Sequence, residues 1–455
     1  MGTLSTAEPP PAVRQGKLLC ILGLGFGWAV TVGGTIAMGI LRTPREVAAN
    51  LPNVWLYMGA WVVGGLFALA GAVSVAELAA MSPRSGGPFL LTRRVLGRYP
   101  GFLVGWSDWL NWCGSCAAMA LVVGEYSAQL FPALAGRETL VGLVVLLGAA
   151  LLQWRGLRGG SRFQAWTSLI KALAFLALIL CCLIVGNHSP APDAVPRPVQ
   201  AGFALAAAVV FAMQGVMFTY SGWEITTYFG EEVKDPGRTI PRSLIGSTAL
   251  VIGIYLLFNA ALLSVLSLPE LAEEKLSAGA AAGKVFGEYG ATAVGVLAII
   301  SLLAGLTAGM LLTPRILYAL GREGLFFRQA TRVNRGGTPD VALLLSALAG
   351  VLFLFSGTFE RMLAVLAFIV VANYGLLFLA VFVCRWREPN AERPYRAWGY
   401  PWTTAVGLVC SAVFLVGAVV ADAENSVYAL VAWAVSCPLF FFITRSKPAR
   451  SKDIV

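Results

Sequence analysis

The sequence predicts an all-α membrane protein of about twelve transmembrane helices, and three observations carry that prediction. Of its 455 residues, 58% are hydrophobic and only 12% are charged, about half the charged share of a soluble domain. The apolar residues fall in runs of roughly 20, the length that crosses a hydrocarbon core about 30 Å thick. The segments between these runs alternate between many and few basic residues.

The runs place spans near residues 18–41, 54–80, 101–130, 139–154, 164–186, 203–229, 244–267, 289–314, 339–356, 361–384, 402–421 and 426–444. With the N-terminus inside, 25 Lys and Arg fall on the cytoplasmic side and seven on the other, and Lys171 alone lies within a span. That asymmetry predicts a multi-pass protein of the cell's inner (plasma) membrane with both termini cytoplasmic. The net charge of +10 is then a topology signal, and no nucleic-acid partner is expected. Residues 1–16, with Pro9, Pro10 and Pro11, read as a disordered cytoplasmic tail, and residues 445–455 as a second tail.

Eight cysteines fall within or at the ends of spans, so no disulfide framework is expected. Cys113 and Cys116 form a C-x-x-C, which inside a membrane helix reads as small-residue packing. The one histidine, His188, lies in a loop, so there is no H-E-x-x-H motif and no histidine-based triad. Neither enzyme activity, nor a metal, nor a cofactor is expected.

Two spans are interrupted at matching places. Span 1 carries Thr31-Val32-Gly33-Gly34-Thr35-Ile36-Ala37-Met38-Gly39-Ile40, and span 6 carries Thr219-Tyr220-Ser221-Gly222-Trp223-Glu224. These are the first members of two five-helix halves, as in an inverted-repeat transporter whose site lies between broken helices. Close glycine packing between helices is the alternative reading. Unwinding strands backbone groups in hydrocarbon, each costing several kcal/mol, roughly, unless something polar meets them. Freed N–H groups suit a carboxylate and freed carbonyls an ammonium, which an α-amino acid or another zwitterion would supply.

Charged residues inside spans mark pathways more often than packing. Lys171 lies about a third of the way along span 5, where snorkelling to the interface competes with a functional role. Glu224 lies in the span 6 interruption, where it binds an ammonium, titrates, or partners a nearby hydroxyl. Glu77 and Asp108 lie near cytoplasmic ends, where pairing with loop arginines is expected.

The chain resembles the amino acid–polyamine–organocation superfamily along nearly its whole length, most of all its L-amino-acid transporter branch and related bacterial permeases. Gly39-Ile40-Leu41-Arg42-Thr43-Pro44 is similar to that family's G-I-F-x-x-P. Ala76-Glu77-Leu78 with Pro83-Arg84-Ser85-Gly86-Gly87-Pro88-Phe89 is similar to A-E-L…P-x-S-G-G-x-Y. Tyr220-Ser221-Gly222-Trp223, Glu231-Glu232-Val233-Lys234-Asp235-Pro236, Ile240-Pro241-Arg242 and Arg393-Pro394-Tyr395 follow in the family's order.

The resemblance implies a LeuT-type 5+5 inverted repeat with helices 1 and 6 broken, plus two peripheral helices. Residues 17–401 would form a ten-helix transport core, with repeats at 17–186 and 203–384, and 402–444 would form helices 11 and 12. It implies alternating access, with substrate contacts at Thr35, Ala37, Met38 and Gly39 on helix 1 and at Phe218, Thr219, Ser221 and Glu224 on helix 6. Phe218 would act as an aromatic lid, with Lys171, Phe218 and Trp223 as coupling or gating residues. Lys171 matches a lysine that stands where sodium binds in coupled relatives, which implies sodium independence.

Two departures bear on substrate. The family's G-S-G is Ala37-Met38-Gly39 here, and Glu224 stands where many relatives have asparagine. The bulk of Met38 favours neutral or small L-amino acids, carried by exchange or facilitated diffusion. Proton-linked carriage of cationic amino acids or polyamines is the alternative, and a non-transporting amino-acid sensor is a third reading. The loop Phe131–Glu138 lacks the cysteine by which animal members attach a partner glycoprotein. No disulfide-linked heavy chain is therefore expected; substrate and bilayer are the partners.

Overall fold

A computed structural model describes residues 23–36, 38–84, 86–155, 173, 175–186, 201–274, 276–334, 337–356 and 358–445. Among these residues the regular structure is helical, apart from an isolated bridge between Val333 and Pro339. The first span is two helices, α1 (Leu24–Thr35) and α2 (Met38–Asn50). Next come α3 (Val54–Met81), α4 (Pro88–Leu96), α5 (Arg98–Leu130), α6 (Glu138–Arg155) and α7 (Phe175–Val185). Helix α8 (Phe203–Thr219) leads into a 3₁₀ segment, Trp223–Glu232, and then α9 (Pro236–Val265). The remainder is α10 (Leu268–Glu273), α11 (Ser277–Phe286), α12 (Glu288–Arg322), α13 (Asp340–Phe355), α14 (Phe359–Arg387), α15 (Trp402–Ala421) and α16 (Ala423–Arg445).

Among the described residues, eight helical stretches are long and apolar enough to cross a membrane, and the chain is a multi-pass membrane protein. Their burial sorts them into layers. The apolar window of α14 is 83% buried and that of α3 is 72%, against 28% for α15 and 22% for α16. The outer helices face away from the bundle with apolar stripes such as Val406, Val409, Val413, Val416 and Val420 on α15. That three- and four-residue spacing keeps one helix face greasy, which suits lipid rather than water. Exposed Trp386, Trp398 and Trp402 cluster where α14 ends and α15 begins, the position of an interfacial aromatic belt.

Several ends differ from the apolar runs. Span 1 continues past residue 41 to Asn50, although Arg42 and Pro44 follow directly. Arg42 is only 2% exposed, and its guanidinium meets Glu46 at 2.7 Å, Glu125 on α5 at 3.2 Å and Glu360 on α14 at 3.1 Å. The charge that reads as a helix end in sequence is therefore neutralised inside the bundle. Segments expected as loops also hold α4, α10 and α11, whose short apolar faces are buried.

At the other end of α3, Glu77 pairs with arginines, as the sequence leads one to expect. Its carboxylate accepts from Arg385 Nε (2.8 Å) and Nη2 (2.6 Å), Arg393 Nε (3.0 Å) and the Ala397 N–H (2.8 Å). This ties α3 to the end of α14 and to the segment before α15.

Candidate functional site

Both predicted breaks are present. Helix α1 closes its last turn with the Ile36 N–H donating to Val32 O at 2.9 Å, and α2 restarts at Met38. Helix α8 ends at Thr219, after which the Tyr220 and Ser221 N–H groups donate to Val216 O and Phe218 O. Gly222 then takes φ of +99°, a left-handed conformation that a residue with a Cβ rarely adopts. The helix path cannot continue through it.

One side chain serves both breaks. The Tyr255 hydroxyl, on α9, lies 2.7 Å from Thr35 O and 3.2 Å from Thr219 O. It thus offers its hydrogen to carbonyls that helix breakage leaves without intrahelical donors, which a dry interior otherwise penalises. Tyr255 is fully buried. We expect Tyr255→Phe to destabilise the fold by about 1–3 kcal/mol and to slow conformational cycling. A thermal-unfolding midpoint indistinguishable from the parent would refute that role.

Between the breaks lies a cavity that encloses about 470 Å³ of empty space, counting the part open to solvent. Gly34, Thr35 and Gly39 line it from the first break; Phe218, Thr219, Ser221, Gly222 and Glu224 line it from the second. Helix α5 closes it with Asn111, Trp112, Ser115 and Met119. Thr35 Oγ1 donates to Thr31 O (2.8 Å), and Ser221 Oγ donates to Phe218 O (2.7 Å). Thr219 Oγ1 lies 2.9 Å from Thr43 Oγ1, joining α8 to α2. Two helix ends and an amphipathic wall thus surround one space, with donors and acceptors from backbone and side chains.

Glu224 is 5% exposed and accepts from the Tyr374 hydroxyl at 2.9 Å; that phenol oxygen in turn accepts from the Gly222 N–H at 3.4 Å. Trp223 turns away from the cavity. It packs beside Gly71 of α3 and at 5.0 Å between ring centroids from Tyr374. Ala37, Lys171 and the Met38 side chain lie outside the described residues.

Among the described residues, Asp108 pairs with no loop arginine. It accepts from the Tyr228 hydroxyl instead. Ten residues of helix separate it from Arg98 at the start of α5, about 15 Å at the usual rise. A loop guanidinium does not reach that far, and the carboxylate turns into the bundle. A second cavity, enclosing about 250 Å³ of empty space when the part open to solvent is counted, lies there and is lined by Asp108, Asn111, Glu224, Asn373 and Tyr374 with apolar neighbours.

An amino acid permease family model matches residues 28–443. The chain belongs to the amino acid permease family. Similar proteins include a serine/threonine exchanger of Bacillus subtilis (strain 168), 26% identical over 434 residues covering 94% of this chain and 97% of that protein. Large neutral amino acids transporter small subunit 2 of Oryctolagus cuniculus is 29% identical over 390 residues, 82% of this chain and 71% of its own. Asc-type amino acid transporter 1 of Mus musculus is 28% identical over 441 residues, 94% of this chain and 82% of its own. This permease is thus an amino-acid transporter that resembles the L-amino-acid transporter branch, and not an enzyme.

The α5 wall of the permease cavity escaped the sequence reading. Its signal was available: Asp108, Asn111 and Ser115 recur at three- and four-residue spacing within an apolar span, which puts them on one helix face.

Proposed function

We propose that this permease carries neutral or small L-amino acids by alternating access, without sodium, through exchange or facilitated diffusion. The observation that carries the reading is that both helix breaks border the same cavity. The N-terminal turn of α2, at Met38 and Gly39, presents free N–H groups suited to the substrate carboxylate. The carbonyl ends of α1 and α8 suit its ammonium. The serine/threonine, Asc-type and large-neutral relatives support substrates of this class. Thr35, Ala37, Met38, Gly39, Phe218, Thr219, Ser221 and Glu224 make the substrate contacts on this reading. Phe218 is the lid, and Lys171 and Trp223 take part in coupling.

The matched breaks support a 5+5 inverted repeat within a ten-helix core spanning residues 17–401. The low burial of α15 and α16 supports their place as peripheral helices. Under the positive-inside rule both termini are cytoplasmic in an inner membrane. The described cysteines lie within or at the ends of spans, which supports a permease without a disulfide-linked heavy chain.

Purified permease in liposomes loaded with unlabelled serine should take up labelled serine, alanine or leucine equally well with sodium or with choline outside. Uptake that requires a sodium gradient would overturn the sodium-free reading. The cationic alternative has one observation in its favour, the cavity beyond Glu224.

A further inference from the structure

The second cavity lies against the first, and Asn111 and Glu224 line both. Its polar lining comes from three elements. Asp108 and Asn111 stand on α5, Glu224 on the 3₁₀ segment, and Asn373 and Tyr374 on α14. Asp108 and Glu224 are each at least 95% buried. No ion pair to either carboxylate is found among the described residues. Each receives one phenolic hydrogen, Asp108 from Tyr228 and Glu224 from Tyr374. Asn111 Oδ1 and Asn373 Oδ1 are buried without a hydrogen-bond partner, on residues that are each 6% exposed.

Two carboxylates and two unpartnered amide oxygens form an environment of acceptors, and burying that without compensation is costly. A proton would neutralise one carboxylate and leave both amide oxygens unpaired. A primary ammonium supplies one positive charge, three donors and no acceptor. Pro88, Val370 and Leu377 complete the lining with apolar surface, which suits the methylenes of an alkyl chain. Beyond the shared residues Asn111 and Glu224, α14 walls the second cavity through Val370, Asn373, Tyr374 and Leu377.

We propose that the second cavity is a subsite for the terminal ammonium of an aliphatic side chain, with Asp108 as its specificity-determining residue. The permease then carries dibasic amino acids as well as neutral ones. This rests on the central cavity holding the substrate's α-amino and α-carboxylate groups. Glu224 lies at the junction, and Asp108, Asn111 and Asn373 surround the second charge.

Lysine against norleucine, and ornithine against norvaline, isolate that charge, because each pair differs at the terminal amine. The measurements are ligand-induced thermal stabilisation of the purified full-length permease and competition against labelled serine in liposomes. Lysine is expected to half-saturate at a concentration at least about tenfold below norleucine, because a neutral tail leaves the polar subsite unpaired. In Asp108→Asn the ratio should collapse towards one, and Asp108→Glu should restore part of it. Asn373→Leu should lower the ratio too, which keeps the test open if Asp108→Asn does not fold. Norleucine binding as tightly as lysine, or a ratio unmoved by Asp108→Asn and Asn373→Leu, overturns the subsite. So does lysine exclusion combined with norleucine uptake driven by a pH gradient, which would assign the cavity to a proton. Serine and norleucine transport without lysine binding sinks the subsite alone. Failure of all these ligands to bind sinks the central reading with it.

Discussion

Gly39→Val should reduce amino-acid uptake to background. A Cβ at residue 39 would lie 2.8 Å from Thr219 Cα and 2.9 Å from Thr219 Cβ, so backbone has to move, not merely a side-chain tip. The contact joins the start of α2 to the end of α8, the two edges of the central cavity. A branched side chain there overpacks the interface, a class of change that costs about 1–3 kcal/mol, and it wedges apart the groups proposed to hold the substrate. Gly59→Ala on α3 is the control, since no atom lies within 4 Å of the added methyl. It should keep both uptake and thermal midpoint. Near-parental uptake in Gly39→Val would show that the close approach of α2 and α8 is dispensable.

Glu77→Ala should bring the largest loss of stability, about 3–5 kcal/mol, the usual cost of removing one partner from a buried ion pair. Two oxygens there answer four donors, and Arg393 is only 5% exposed on its side chain. Alanine leaves the Arg393 Nε–H and the Ala397 N–H without their acceptor and the Arg393 charge without its carboxylate. The Arg385 guanidinium also sits 3.9 Å over the Tyr400 ring, so the damage should spread to the start of α15. Unfolding followed by tryptophan fluorescence in detergent is the measurement; a midpoint within a degree or two of the parent would contradict it.

Much of this architecture was legible in the sequence because lipid imposes simple rules. A run of apolar residues must span, and a broken span must satisfy its own backbone. Hence the breaks at Ile36 and at Tyr220–Gly222 were visible from their glycines, and Thr35, Gly39, Phe218, Thr219, Ser221 and Glu224 all line the cavity. Trp223 was not separable from its neighbours by sequence. The 3₁₀ turn after Gly222 sends it towards Gly71 and Tyr374, and that rotation depends on a backbone angle. Asp108 was misassigned because proximity along the chain stood in for direction. Its residue type fits a surface pair, and only its helix face sends it inward to Tyr228. The extension of the first span past Arg42 was hidden for a related reason. Its three carboxylate partners sit at residues 46, 125 and 360, and no local window contains them all.

The Arg42 cluster gives the two pieces of the first span different mechanical allegiances. Helix α1 rests on α9 and the 3₁₀ segment, whereas α2 packs on α8, α10 and α11 and is bound through Arg42 to α5 and α14. A rigid rod would force both pieces to move as one. The interruption between Thr35 and Met38 separates them, so on the alternating-access reading α1 would swing while α2 stays moored. Separating α2 from α5 and α14 requires rehydrating a guanidinium and its acidic partners together. On the same alternating-access reading, motion of α1 would slide helix faces joined by hydroxyl contacts such as Thr31–Thr226, whereas motion of α2 would have to hydrate charge.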